Sequence, residues 1–413
     1  MSTPEGKVAI IGAGLSGLTL ALALHQQGIA CAVYESRPAP LNIGGAVMLS
    51  PNALRVLDGV GLYDTIKIKG YNFTTLEFRN ADGNFLESYE FGGREKYGYD
   101  GLRIYRYELI DALVAALRQN DIPVQYGKKF SHVVSDTEDS LTFAFADGKT
   151  ETVGLLVGAD GIHSTVRRHL YPDLRTRFMG MAGITAAVPT AQLKLPEGYH
   201  IPVTITTPHG AFVIAPQRVD GSEVLIGKQQ RVDASALPAG WDRAFVADKE
   251  GGVAFLQKDA NDFPEIVRNA VSAIDPAKVN KWPFFIVPKL ERWASETRRV
   301  IILGDAAHAI PPSAGQGINQ AFEDVYMLAL LLGRAAEVRR PQDSLSFWQT
   351  YRQARVDRIL ELNKQIDARR MPADDAVVGA GSGFTREKFE LGWLYNPDFK
   401  KDVEDWVKEQ QTN

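Results

Sequence analysis

Gly304-Asp305-Ala306-Ala307-His308, followed by Pro311-Pro312-Ser313-Ala314-Gly315-Gln316-Gly317-Ile318-Asn319, puts a carboxylate, a Gly/Pro loop and a helix start in one short stretch. A carboxylate only accepts hydrogen bonds, so Asp305 suits sugar hydroxyls. The apolar run Val300 to Leu303 ahead of it predicts a buried strand, and Ile318 to Leu332 behind it has the apolar spacing of a helix. The N-terminus of that helix leaves N–H groups unpaired and carries about half a positive charge. It stabilises negative charge in the loop without a titratable group.

A partner stretch lies near the other end of the chain. Lys7 to Ile11 reads as a short strand and Leu15 to Gln27 as a helix packed on it. Between them Gly12 permits a tight turn, Gly14 lets backbone approach a pyrophosphate, and Gly17 lets helix and strand lie close. The strand Ala30 to Tyr34 ends in Glu35, roughly 20 residues on, where an acid binds a ribose hydroxyl pair. Strand, glycines, helix and acid together predict a dinucleotide site. Gly379-Ala380-Gly381-Ser382-Gly383-Phe384 lacks the third glycine, the long strand and the helix, so it reads as a glycine loop.

A third element, Gly158-Ala159-Asp160-Gly161-Ile162-His163-Ser164-Thr165-Val166-Arg167-Arg168, again follows an apolar strand, Val153 to Val157. The three elements in this order resemble the single-component FAD-dependent monooxygenases of the para-hydroxybenzoate hydroxylase type, from about Lys7 to Leu362. Salicylate hydroxylase-like and tetracycline-inactivating monooxygenases are among them. The Pro-Pro-x-Ala-Gly-Gln-Gly-Ile-Asn loop is most similar to the latter. The resemblance implies noncovalent FAD, with NADPH or NADH as transient co-substrate. It implies O2-dependent hydroxylation or epoxidation of a small aromatic or unsaturated molecule through a C4a-hydroperoxyflavin.

By the same resemblance, Gly12, Gly14 and Gly17, with Ser16, hold the pyrophosphate and Glu35 the adenosine ribose. Arg106 contacts the flavin, Gly45-Ala46 pass beside it, and Asp160 serves the nucleotide cofactors. Asp305 bonds the ribityl chain, and Pro312 with Gly315, Gln316, Gly317, Ile318 and Asn319 flanks the isoalloxazine. Ser36 stands where many relatives have arginine, so Arg37 is the expected substitute. The implied architecture is α/β: a Rossmann-like FAD-binding domain (1–72, 100–177 and 285–370), interrupted by a mainly antiparallel β-sheet substrate domain (73–99 and 178–284). C-terminal helices and a docking segment (371–413) follow.

At 413 residues the chain is long enough for two or more domains at about 150 residues each. A net charge of −4 gives no nucleic-acid footprint. Leu18 to Leu24 is too short to span a bilayer, and no secretory pattern precedes the first strand, so a cytoplasmic protein is expected. Cys31, the single cysteine, lies in an apolar strand and reads as core; a redox thiol pair is excluded. The seven histidines have no ligand spacing, and no metal site is expected. Competing readings are a reductase or halogenase of the same fold and a non-catalytic flavin-binding protein; Trp241 and Trp282 lack the pairing of a halogenase.

Elsewhere, Ser50 as N-cap with Pro51 predicts a helix through Leu57. Phe73 to Phe78 and Phe85 to Phe91 flank Asn80-Ala81-Asp82-Gly83 as a hairpin, and Phe178 to Lys228 alternates as antiparallel strands. Phe347 to Asp367 reads as a helix whose arginines form a solvated face. Candidate substrate-lining residues are Met48, Met179, Met181, His209, Phe212 and Phe285, with no catalytic base assigned.

Overall fold

Strands covered on both faces are continuously apolar, and Val8–Ile11 and Cys31–Tyr34 are buried throughout. The computed structural model describes residues 6–40, 44–233, 235, 238, 240–340, 342–370 and 389–412. The two strands belong to a five-stranded parallel sheet in the order Val300–Ile302, Leu155–Gly158, Val8–Ile11, Cys31–Tyr34, Val124–Gln125. Parallel neighbours need a crossover, and the Leu15–Gln26 helix supplies the first. A Cβ on Gly17 would lie 2.0 Å from the Gly12 carbonyl oxygen, and one on Gly12 (φ +107°) 2.6 Å from that of Ala159. Only glycine permits this closeness of strand, turn and helix.

The second large sheet has seven strands, in the order Val279–Ile286, Arg177–Pro189, Glu223–Arg231, Gly210–Pro216, Val203–Thr207, Thr75–Arg79, Phe85–Glu90. It is antiparallel except where Val203–Thr207 runs parallel to Thr75–Arg79. Alternation sends Ile184, Ile205, Phe212, Ile214 and Ile226 to one face, where they meet Leu256, Val267 and Val271. Those last residues belong to the helices Lys249–Gln257 and Glu265–Val271, which the reading of 178–284 as mainly sheet did not anticipate. Gly251-Gly252 and Pro264 interrupt the helical spacing there. A Cβ on Gly252 would lie 2.6 Å from Val279 Cγ1, so the glycine lets helix meet sheet.

The expected Phe73–Phe78 strand divides at Thr74. Tyr71–Phe73 pairs with Gly101–Tyr105, while Thr75–Arg79 joins the seven-stranded sheet. The Pro51–Gly59 helix forms, but Ser50 does not cap it by side chain: its hydroxyl donates to Asn52 Oδ1 (2.6 Å). The late helix is longer than expected, Asp343–Arg370. Two of its arginines are not on a solvated face: Arg352 is fully buried against Glu323 and Asp324, and Arg355 pairs with Glu323, whereas Arg358 is exposed. Single-sequence spacing shows a stripe of charge but not the carboxylates that another helix turns toward it. In the tail, Phe399–Thr412 packs Phe399, Val403 and Val407 into the first core, with Trp406 stacked on Phe347 at 4.8 Å. Gly379–Phe384 lies outside the described residues. Among those described, no helix is long and apolar enough to cross a membrane.

Candidate active site

Three strand ends of the parallel sheet open onto one cavity of about 760 Å³, within the range of about 300–1,000 Å³ usual for ligand sites. Among the residues singled out from sequence, Gly14, Ser16, Ala46, Arg106, Asp305, Pro312, Gly315, Gly317 and Ile318 line it. Gly12, Gly17, Glu35, Arg37, Gly45, Asp160, Gln316 and Asn319 do not. Positions spread from 14 to 318 thus meet because the sheet order sets Val300–Ile302, Leu155–Gly158 and Val8–Ile11 side by side.

Gly14 is the N-cap of the Leu15–Gln26 helix, and a Cβ there would meet nothing within 4 Å. The helix N-terminus therefore faces open space of the kind an anionic group fills. Glu35 closes the next strand: Oε2 accepts from the Ala13 amide (3.0 Å), and Oε1 from the Arg37 amide (2.8 Å) and Ser36 Oγ (3.0 Å). The Arg37 guanidinium lies 3.6 Å from Glu35 and is half exposed.

Asp305 projects into the cavity, ringed by protein. That enclosure pushes its carboxyl up, while His308 and Arg106 pull it down. Burial in turn lowers the Arg106 guanidinium, and Asp305 is the charge opposing that shift. A cation and a carboxylate face each other here with the cavity between and no hydrogen bond joining them.

Gln316 and Asn319 point away from the cavity. Asn319 Nδ2 donates to the carbonyls of Met48 (3.0 Å) and Gly315 (2.6 Å), and its Oδ1 accepts from the Ser50 amide (3.0 Å). Gln316 Nε2 donates to Ser50 Oγ (2.9 Å). Both side chains fasten the loop, leaving backbone at the start of the Gly317–Gly333 helix to face the cavity. Asp160 Oδ2 accepts from the amides of Thr165 (2.6 Å) and Val166 (3.2 Å), shaping its turn, while its Oδ1 is buried without a partner. Arg167 then ties this turn to the late motif, donating to the carbonyls of Ile162 (2.6 Å) and Ala306 (2.9 Å).

The opposite wall is apolar: Leu76, Phe78, Phe91, Val213, Leu225 and Phe284. Met48 and Phe285 line it as expected; Phe212 does not, because strand alternation turns it into the second core while Val213 faces the cavity. Met179 and Met181 also lie outside the lining, and His209 sits in a strand turn beside Asp262 (3.1 Å). His209, Asp259 and Asp262 gather at the surface, and none of them lines the cavity.

Sequence reading missed Arg103, Tyr89, Ser313 and Arg370 as lining residues. Arg103 was within reach: it alternates with Leu102 and Ile104, which are core, so it must face the other way. Its Nη2 donates to Gln217 Oε1 (2.9 Å), which also accepts from the Ala46 amide (3.2 Å). Burial lowers the Arg103 guanidinium to about 10.

The geometry has counterparts. Residues 5–363 match the family model described as FAD binding domain. The chain is 31% identical over 407 residues to 3-amino-4-hydroxybenzoate 2-monooxygenase of Streptomyces cremeus, covering 94% of each. It is 27% identical to salicylate hydroxylase of Pseudomonas putida, covering 97% of this chain and 94% of that one. Among solved structures, Klebsiella pneumoniae HpxO complexed with FAD and uric acid superposes with a TM-score of 0.75 at 22% identity, covering 98% and 96% of the two chains. Open space at Gly14, an unpaired carboxylate at Asp305 and a helix start at Gly317 fit a flavin dinucleotide. The chain belongs to the FAD-binding-domain family and is an FAD-dependent monooxygenase.

Proposed function

We propose that the enzyme hydroxylates a small aromatic molecule, using O2 and NAD(P)H, with the nicotinamide cofactor binding transiently. The carrying observation is one cavity whose polar wall holds Gly14, Arg106, Asp305 and Gly317, and whose apolar wall holds Phe78, Phe91, Leu225 and Phe284. The named relatives that act on hydroxybenzoates and salicylate support an aromatic substrate. Bound flavin supplies the electron transfer and oxygen activation; the chain supplies position and exclusion of water.

In this reading the Gly14 amide and its helix N-terminus hold the pyrophosphate, with Gly12, Ser16 and Gly17 fixing the turn. Glu35, steadied by the Ala13 and Arg37 amides, takes the adenosine ribose. Asp305 accepts from the ribityl hydroxyls, and Arg106 beside Gly45-Ala46 lies along the ring. The amides of Gly317 and Ile318 face the pyrimidine edge, where the helix dipole offsets negative charge on the reduced ring. Aromatic and aliphatic walls keep water from the reacting face. The FAD-binding part comprises 1–72, 100–177 and 285–370, the substrate part 73–99 and 178–284, and of the expected docking segment 371–413 the described residues 389–412 pack on them. NAD(P)H as reductant fits a cytoplasmic setting.

The test is NADPH and NADH oxidation in air by the FAD-loaded protein, with and without a panel of phenols and polycyclic compounds, and 18O2 for product analysis. Label in a ring hydroxyl supports the reading. Reductant consumption with no labelled product across the panel overturns it.

A further inference from the structure

Among the described residues, three arginines line the cavity, and their charges are met differently. Arg106 is opposed by Asp305, and Arg370 by Asp367 on its own helix. Arg103 pairs with no carboxylate among the described residues; against the burial that lowers its guanidinium stands only the Tyr105 hydroxyl. It is 6% exposed and lines the cavity, so the little surface it keeps opens there. Of its five N–H donors one is used, by Gln217 Oε1, and Nε is buried with no partner. A buried cation without a counter-ion is costly, and its place in a ligand cavity points to an anion that arrives with the ligand.

Strand pairing fixes where that anion sits. Arg103 stands directly opposite Met48 on antiparallel strands, so both side chains leave the same sheet face, and both line the cavity. Gln217 Oε1, by accepting from the Ala46 amide as well, holds the guanidinium beside Ala46. A Cβ on Gly315 would lie 3.8 Å from Met48 Sδ and 4.0 Å from Phe91 Cζ, so the cation adjoins the apolar side of the cavity. The negative groups of the flavin dinucleotide have other partners in the reading above, the helix starts at Gly14 and Gly317. A carboxylate meets a guanidinium in plane through two parallel hydrogen bonds and cancels its charge, whereas a carboxamide offers one neutral acceptor.

We propose that Arg103, braced by Gln217, is a specificity residue that pairs with a carboxylate on the aromatic substrate and orients it beside Ala46 and Met48. The assignment rests on the reading of the cavity as an aromatic-substrate site.

The probes are matched pairs of like shape, 4-hydroxybenzoate with 4-hydroxybenzamide and 3-hydroxybenzoate with 3-hydroxybenzamide, with phenol as reference. Each is titrated at pH 7 into the FAD-loaded protein, and binding is read from the flavin absorption spectrum. In at least one pair the acid is expected to bind about tenfold or more tighter than its amide. Arg103→Met removes the cation, and Gln217→Glu sets a carboxylate of the protein beside it. Each should bring the ratio to within about threefold and leave phenol and FAD binding unchanged. FAD content and thermal melting establish folding; Gln217→Glu, which keeps the shape and the acceptor for Ala46, stands in if Arg103→Met does not fold. Amides that bind as tightly as acids in both pairs, or an acid preference that survives the substitutions, overturn the role of Arg103 alone. Arg103→Met that loses tenfold in FAD affinity while keeping the acid preference assigns the cation to the cofactor instead, and also overturns it. If no compound in the series perturbs the flavin, the aromatic-substrate reading falls, and this role with it.

Discussion

Asp324 Oδ2 lies 2.5 Å from His308 Nε2 and also accepts from the Gly304 amide at 2.9 Å. One carboxylate on the Gly317–Gly333 helix thereby grips both ends of the turn that presents Asp305. Its other oxygen accepts from Arg352 Nε (2.8 Å). Glu323, the preceding residue, pairs with Arg352 and Arg355 and accepts from Asn52 Nδ2 (2.6 Å). Burial pushes both carboxyls up, but His308 and Arg352 at Asp324, and the two arginines at Glu323, outweigh it and hold both below the usual range. The late motif therefore rests on a buried charge network.

Asp324→Asn should loosen the Asp305 turn without touching the cavity, since Asp324 does not line it. FAD affinity is expected to fall by about tenfold, the scale of one charge-assisted hydrogen bond lost at a distance. Titration of the apoprotein with FAD checks this; unchanged affinity in a folded variant removes the link.

Glu323→Gln should cost about 3 kcal/mol of unfolding free energy at pH 7, because two buried arginines lose a partner. The folded carboxyl titrates below its unfolded value of about 4.3. Its stabilisation is present above that pH and is lost as pH falls through the lower folded value. The gap between variant and wild type should accordingly narrow below pH 4, as read from urea denaturation at a series of pH values.

Asp305→Ala and Glu35→Ala each remove hydrogen bonds to a charged acceptor, worth about 1.5–3 kcal/mol. Each should weaken FAD binding roughly tenfold to a hundredfold. Spectral titrations matching wild type for both folded variants would falsify the cofactor placement.

Gly14 and Gly17 separate folding from binding. A methyl on Gly17 collides with the Gly12 carbonyl, so Gly17→Ala should lower the melting temperature of the apoprotein. A methyl on Gly14 meets open space, so Gly14→Ala should melt near wild type yet bind FAD more weakly. Calorimetry with and without FAD distinguishes them; equal loss of apoprotein stability in both refutes the assignment of open space to the ligand.

Gly315 has φ +65°, and a side chain there would point toward Met48 and Phe91. Gly315→Val should strain the loop and crowd the ring face, expelling FAD or raising hydrogen peroxide yield during NAD(P)H oxidation. Peroxide assay against product formed decides the matter.

Local signals carried the nucleotide half of this protein. Gly12, Gly14 and Gly17 each answer to a steric demand, and Val8–Ile11 and Val300–Ile302 to burial on both faces, so strand, turn and helix follow from residues close in sequence. What the tertiary structure decided was pairing at long range. Arg352 could not be told from a solvated arginine until Glu323 and Asp324 were brought against it. Phe212 and Val213 are adjacent apolar residues, and only the position of the second core shows which one faces the cavity. Tyr89, Ser313 and Arg370 carry no mutual spacing, because three segments meet at the cavity through packing of sheet, loop and helix. A sequence records each residue's preference for water or core; which partner a buried charge finds is set by the fold as a whole.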